Sequence, residues 1–150
     1  MRGDSRLVNV KHEIAYVRVQ DGSGRRDPVR ITDADGTSVC ERCKPAVTVP
    51  SRLRGLMMRK RLPEGEGLLL SPAGAIHTFF MRFPIDAVFA DREMKVVGVA
   101  PALPPWRMAA RRRARVVLEL PAGAAARHGI EPGTQLAIAS AVEENDRVPV

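Results

Sequence analysis

The chain has 150 residues, 45% of them apolar and 27% charged, with a formal net charge of +7. That length suits one domain with its own core, and the apolar and charged fractions are those of an ordinary globular protein. No run approaches the roughly 18 apolar residues of a membrane span, and the opening "MRGDSRLVNVKHEIAYVRVQ" lacks the apolar stretch of a secretory signal, so the expected compartment is the cytoplasm.

Residues 1–28 read as a flexible N-terminal segment, with a short alternating piece at Ile14 to Val19 and a Gly-, Ser- and Arg-rich linker, "QDGSGRRDP". Residues 29–140 read as a single mainly β domain, and residues 141–150 as a frayed tail. Within the domain, "VRIT" and "TSVCERC" flank an Asp35-Gly36 turn, a hairpin signal. "PSRLRGLMMRKRL" predicts a helix with Ser51 as N-cap and Leu53, Leu56 and Met57 on one face. Gly55 inside it costs about 1 kcal/mol relative to Ala and marks a bend or a close approach. Strands are expected at "LLLSP", "IHTFFM", "IDAVFAD", "VVGVAPAL" and "RVVLELP", with "PPWRMAARRRA" irregular. A short helix, "AGAAARHGI", closes at Gly129, and a last strand follows the Pro132-Gly133 turn. Many short strands with two short helices predict a compact sandwich, jelly roll or barrel.

Several side chains are candidates for chemistry. Cys40 and Cys43 form one CxxC. Zinc wants four ligands, and neither His12, His77 nor His128 has partner spacing. A redox pair wants the motif at the start of a helix, whereas here it ends a strand. Two reduced structural cysteines are expected, one facing in and one out, with no metal and no cofactor. Arg54 beside Gly55 is placed to turn inward and grip an anion or a carbonyl. In "IHTFFM", alternation sets His77, Phe79 and Met81 on one face and Ile76, Thr78 and Phe80 on the other. Asp86, just past Pro84, could orient His77 as a general base requires, or cap the turn instead. No G-x-S-x-G accompanies them, and Thr78 lacks an activating context. Trp106, the sole Trp, and Arg107 sit in "LPPWR", where a rigid Trp serves as a lid, a contact residue or a plug. Glu119 is either solvent-facing or an inward partner for an arginine. The basic residues fall mainly in "GRRDPVR", "SRLRGLMMRKR" and "RMAARRRAR". No aromatics interleave with them, as a single-strand binder would need; a solvated surface is favoured over weak nucleic-acid binding through Arg111, Arg112, Arg113 and Arg115.

In order, "RLRGLMMR", "GEGLLL", "IHTFFMRFPIDAVFAD", "PPWR", "VLELPAG" and "GIEPG" resemble the motifs of the bacterial and archaeal domain-of-unknown-function 192 family. The resemblance covers roughly Val29 to Ile138. It implies a compact, mainly β domain with small helices and supplies no activity. The family's recurring positions fall on Arg54, Gly55, His77, Met81, Pro84, Asp86, Trp106, Arg107 and Glu119, which implies one shared cavity. Two departures stand out: Ala73 occupies a place where similar chains often have Cys, and "RRRA" replaces a "CRGA"-like turn.

The expected function is a binding module that holds a small polar or anionic ligand, or a partner segment, between Arg54, His77 and Arg107 under Trp106. The alternative is a hydrolase- or isomerase-type enzyme using His77 with Asp86 or Glu119.

Overall fold

The computed structural model describes residues 28–46, 56 and 59–140. The expected N-terminal segment, most of the helix at 51–61, and the tail lie outside the described residues, as do Arg54 and Gly55.

Among the described residues, nine strands and one short helix follow in chain order: β1 Val29–Thr32, β2 Ser38–Ala46, β3 Glu66–Leu70, β4 Ala75–His77, β5 Ile85–Ala90, β6 Val96–Leu103, β7 Met108–Ala110, β8 Val116–Pro121, α1 Ala124–Arg127 and β9 Ala137–Ser140. Seven strands form one mixed sheet in the order β6-β5-β8-β3-β2-β1-β9, and β4 pairs with β7 in a separate two-stranded sheet. The pairing of β2 with β3 is parallel; the other ladders are antiparallel. The large sheet does not close into a barrel. Its two edges meet only ahead of β6 and β9, at an isolated Lys95–Gln135 bridge.

The turns follow from local chemistry. Asp33 Oδ1 accepts the N–H groups of Asp35 and Thr37 at 2.9 Å each, and Gly36 takes the left-handed φ of 79° that the first hairpin requires. Asp91 does the same between β5 and β6, accepting from Glu93 N at 2.9 Å and Lys95 N at 3.0 Å. Gly129, at φ 62°, stops α1.

The inner strands β5 and β8 are buried on both faces along their whole length. On one face Val88, Ala90, Val116, Leu118 and Leu120 pack with Ile31, Cys40, Cys43 and α1. On the other, Ile85, Ala87, Phe89 and Val117 pack with Leu68, Leu70, Met81 and Ile76 of β4. The small sheet lies over this second face, with Ile76 buried and Ala109 of β7 packed against it.

The two cysteines depart from expectation. Strict alternation would turn one outward, yet both are fully buried and free. Between the pairs Val29–Cys43 and Ile31–Cys40, β1 advances two residues and β2 three. That extra residue turns both thiols to the same face. Cys43 donates to Cys40, which lowers the Cys40 thiol below its usual range, while burial pushes Cys43 well up.

Gly67 of β3 is the tightest point of this packing. A Cβ there would lie 2.8 Å from Cys40 Sγ and 2.8 Å from the carbonyl oxygen of Glu119, and a strand carbonyl cannot give way without breaking its ladder. Gly67→Ala should therefore lower unfolding free energy by about 1–3 kcal/mol, as overpacking does, measured as a fall in denaturant midpoint at unchanged slope.

Candidate functional site

The stretch expected to run as a strand from Ile76 to Met81 leaves the β conformation after His77. Thr78, which lacks any activating context for a nucleophile, is the reason. It is fully buried and binds the "PPWR" loop with every polar group it has. Its hydroxyl donates to Pro104 O at 2.6 Å and accepts from Arg107 N at 2.9 Å. Its N–H donates to Arg107 O at 2.8 Å, and its carbonyl accepts from Trp106 N at 3.0 Å and Met81 N at 3.2 Å. Two loops distant in sequence are thereby locked together.

The lock displays aromatic rings. Phe80 and Trp106 take left-handed backbone conformations, φ 64° and 63°, which are costly for bulky residues. His77 stacks on Phe79 at 4.9 Å, Phe79 on Trp106 at 5.9 Å, and Phe80 tilts against Trp106 at 4.7 Å. Among the described residues, the exposed large hydrophobics are Phe80 at 61%, Trp106 at 56% and Met108 at 70%. All three belong to this unit, because His77 faces Met108 across the β4–β7 pair. With Ile76 and Ala109 turned to the core, alternation turns His77 and Met108 outward. His77 Nδ1 accepts from Phe79 N at 3.3 Å, which fixes the ring and leaves Nε2 as the neutral tautomer's donor. The result is an exposed ridge, with Trp106 as neither lid nor plug.

The other predicted residues divide between the two sides of the sheet. Met81 is buried beneath the ridge with Ile76 and Phe89. Arg107 is exposed and folds back to donate to Trp106 O at 3.2 Å. Asp86 lies on the far face: its neighbours Ile85 and Ala87 pack beneath the small sheet, so its own side chain points the opposite way. There Oδ1 accepts from Ala102 N at 2.8 Å and Oδ2 from Ala125 N at 2.9 Å. One carboxylate thus ties β5 to β6, where Ala102 has φ 45°, and caps α1 from outside the helix. The structure does not bring Asp86 to His77.

Glu119 is neither solvent-facing nor paired. It lies on the face of Val117, flanked by Leu68 of β3 and Ala87 of β5. It is buried, and its Oε2 has no hydrogen-bond partner. Burial alone raises its carboxyl from an ordinary 4.5 to about 8, so the acid is neutral at pH 7.

A separate cleft of about 290 Å³ lies between Pro28, Arg42, Lys44, Arg59, Glu66 and Gly67. It is lined by the exposed Arg42, Lys44 and Arg59 and the half-buried Glu66, and Arg59 donates to Glu66 at 2.8 Å.

The arrangement defines a mainly β domain with a rigid, exposed aromatic ridge. The chain belongs to the DUF192 family, described as "Uncharacterized ACR", which matches residues 30–138. It is similar to a protein of unknown function from Novosphingobium aromaticivorans DSM 12444, at 28% identity and a TM-score of 0.66, over 79% of this chain and 90% of that one. It also shares the fold of a "putative transcription regulator" from Sinorhizobium meliloti 1021, at 24% identity and a TM-score of 0.66, over 75% and 92%. No curated protein matches the chain.

The two buried acids differ in what removing the charge should do. In Asp86→Asn the amide turns a donor toward a backbone N–H, so stability should fall by about 2–3 kcal/mol while the Trp106 emission spectrum stays unchanged. For Glu119 the folded state keeps its proton up to about pH 8 while the unfolded state loses it near 4.5. The folded state therefore holds more protons across that window, and stability falls as pH rises through it. At about 1.4 kcal/mol per pH unit the full loss is about 4–5 kcal/mol. Glu119→Gln should abolish this part of the pH dependence, measured by urea unfolding at pH 5 and pH 9.

Proposed function

We propose that this protein is a non-enzymatic binding module whose recognition surface is the ridge of His77, Phe79, Phe80 and Trp106, flanked by Arg82 and Arg107. The carrying observation is the pair of left-handed aromatic residues. Two bulky side chains are held exposed in a backbone region that costs of order 1–3 kcal/mol each, by a buried threonine that spends every hydrogen bond doing so. Stability alone would favour Gly at both positions. The strain is understandable if the rings must be presented to something outside the molecule.

Arginines on this unit give the partner its charge. Arg82 and Arg107 in the ridge loops are exposed, as are Arg112 and Arg113 past the other end of β7, and an anionic or polar partner satisfies them best. An enzyme built on His77 is the weaker reading, because Asp86 is committed to two backbone N–H groups on the other face of the sheet. In this reading the small sheet is the second layer of a sandwich-like arrangement, and the cytoplasm is the compartment.

Phe80→Gly and Trp106→Gly test the idea, because each removes a ring and relieves the left-handed φ at once. Binding of an anionic probe such as heparin should fall at least tenfold, while stability stays within about 1 kcal/mol of the parent. A loss of several kcal/mol with unchanged heparin binding would make the rings structural and overturn the proposal.

A further inference from the structure

We propose that the ridge docks on the surface of an anionic phospholipid bilayer, with Phe80, Trp106 and Met108 entering the headgroup boundary and the neighbouring arginines holding lipid phosphates. This rests on the ridge being the binding surface and names its partner.

Charge is the first argument. Residues 72–83 and 104–115, which contain β4, β7 and both ridge loops, hold Arg82, Arg107, Arg111, Arg112, Arg113 and Arg115 and no acidic residue. They carry a formal +6, nearly the whole net charge of +7. Among the described residues none of these six meets a carboxylate. The ion pairs there are Arg59 with Glu66 and Arg127 with Glu64, and neither involves the ridge loops. Arg107, Arg111 and Arg115 donate instead to the backbone carbonyls of Trp106, of Ala110 and Val99, and of Ala114. A carbonyl orients a guanidinium without neutralising it, so the positive field is fixed in place and kept.

The second argument is what the ridge offers. Phe79 lies between His77 and Trp106, and Phe80 leans on Trp106. The rings spend faces on one another, whereas a single-strand binder needs them for bases. Met108, the most exposed of the three at 70%, has no ring at all. A flexible thioether, a phenyl and an indole beside arginines match a bilayer boundary, where Trp takes the interface, apolar chains lie just below it and Arg meets the phosphates. The Thr78 lock fixes the loops beforehand, so insertion orders little additional backbone. No helix among the described residues is long and apolar enough to cross a membrane.

The test mixes the full-length protein with phosphatidylcholine vesicles, with and without phosphatidylglycerol, and reads co-sedimentation and the emission of Trp106, the chain's only tryptophan. Binding to the anionic vesicles should exceed binding to neutral ones at least tenfold, with a blue-shifted Trp106 quenched by brominated acyl chains. Arg112→Gln with Arg113→Gln should weaken it by roughly fivefold per arginine, the worth of one charge near an anionic surface. Met108→Ser should weaken binding without changing the salt dependence. Vesicle binding with an unshifted Trp106 would overturn the proposal, leaving only diffuse charge attraction. If vesicles fail but a single-stranded oligonucleotide or an acidic peptide shifts Trp106, and Trp106→Gly or Phe80→Gly loses the heparin binding, the membrane is wrong and the ridge stands. If no probe responds to the ridge variants, both readings fall.

Discussion

The buried hydroxyl of Thr78 is the point on which the exposed surface of this molecule depends. It donates to one loop residue and accepts from another, while the flanking backbone groups reach the same loop. A buried polar group lacking a partner costs about 1–3 kcal/mol, so each of these contacts resists rearrangement by any other. Two left-handed aromatic residues persist because the bonds around Thr78 over-determine the loop. Without that lock Phe80 and Trp106 would relax to ordinary backbone angles, and the rings would lose their common alignment. Packing secures the same unit from below through Ile76 and Met81, which ties the ridge to the large sheet.

The sheet also separates the two buried acids by function. Asp86 and Glu119 belong to adjacent strands, yet their side chains leave from opposite faces. Asp86 has two backbone donors, joins three elements and points away from the face that carries His77. Glu119 has apolar neighbours, a raised carboxyl pKa and an oxygen without a donor. The first stabilises the fold, and the second costs stability progressively as pH rises from about 4.5 to about 8. Two carboxylates that look equivalent in sequence are thus opposite in energetic sign, and the difference lies wholly in which face each strand parity selects.

That parity explains how far the sequence could be read. Long apolar runs ending at clear turns, as in β5, β6 and β8, were legible because their chemistry is local: Asp91 and Gly129 act on residues within a few positions. The family was legible from the resemblance of its motifs, taken in order, to those of known members. Three features were hidden because they depend on contacts across many residues. The bulge that turns both cysteines inward arises only from the pairing of β2 with β1. The end of β4 at His77 is imposed by a loop some 29 residues away in sequence. The exposure of Trp106 could not be told from burial, since a lone Trp between prolines fits a plug as well as a ridge. A Thr flanked by His and two Phe is the available signal, but a buried clamp and an idle hydroxyl look alike without the loop that Thr78 binds.

The placement of charge completes the logic of the ridge. Arg59 is paired with Glu66, and Arg127 with Glu64, away from the small sheet, so those acids neutralise basic residues elsewhere. Around β4 and β7, Arg107, Arg111 and Arg115 are held by carbonyl oxygens. Arg111 shows how: it lies against Gly98, where any Cβ would strike its side chain at 2.8–3.0 Å, and its guanidinium sits 5.2 Å from the Phe89 ring. A glycine in the edge strand β6 therefore makes room for a cation, and an aromatic face and two carbonyls hold it in place. Simple solubility would be served by arginines free in solvent. Fixing them beside exposed apolar rings concentrates like charge, which raises the free energy of the isolated protein and lowers it only when an anionic surface is brought to that side.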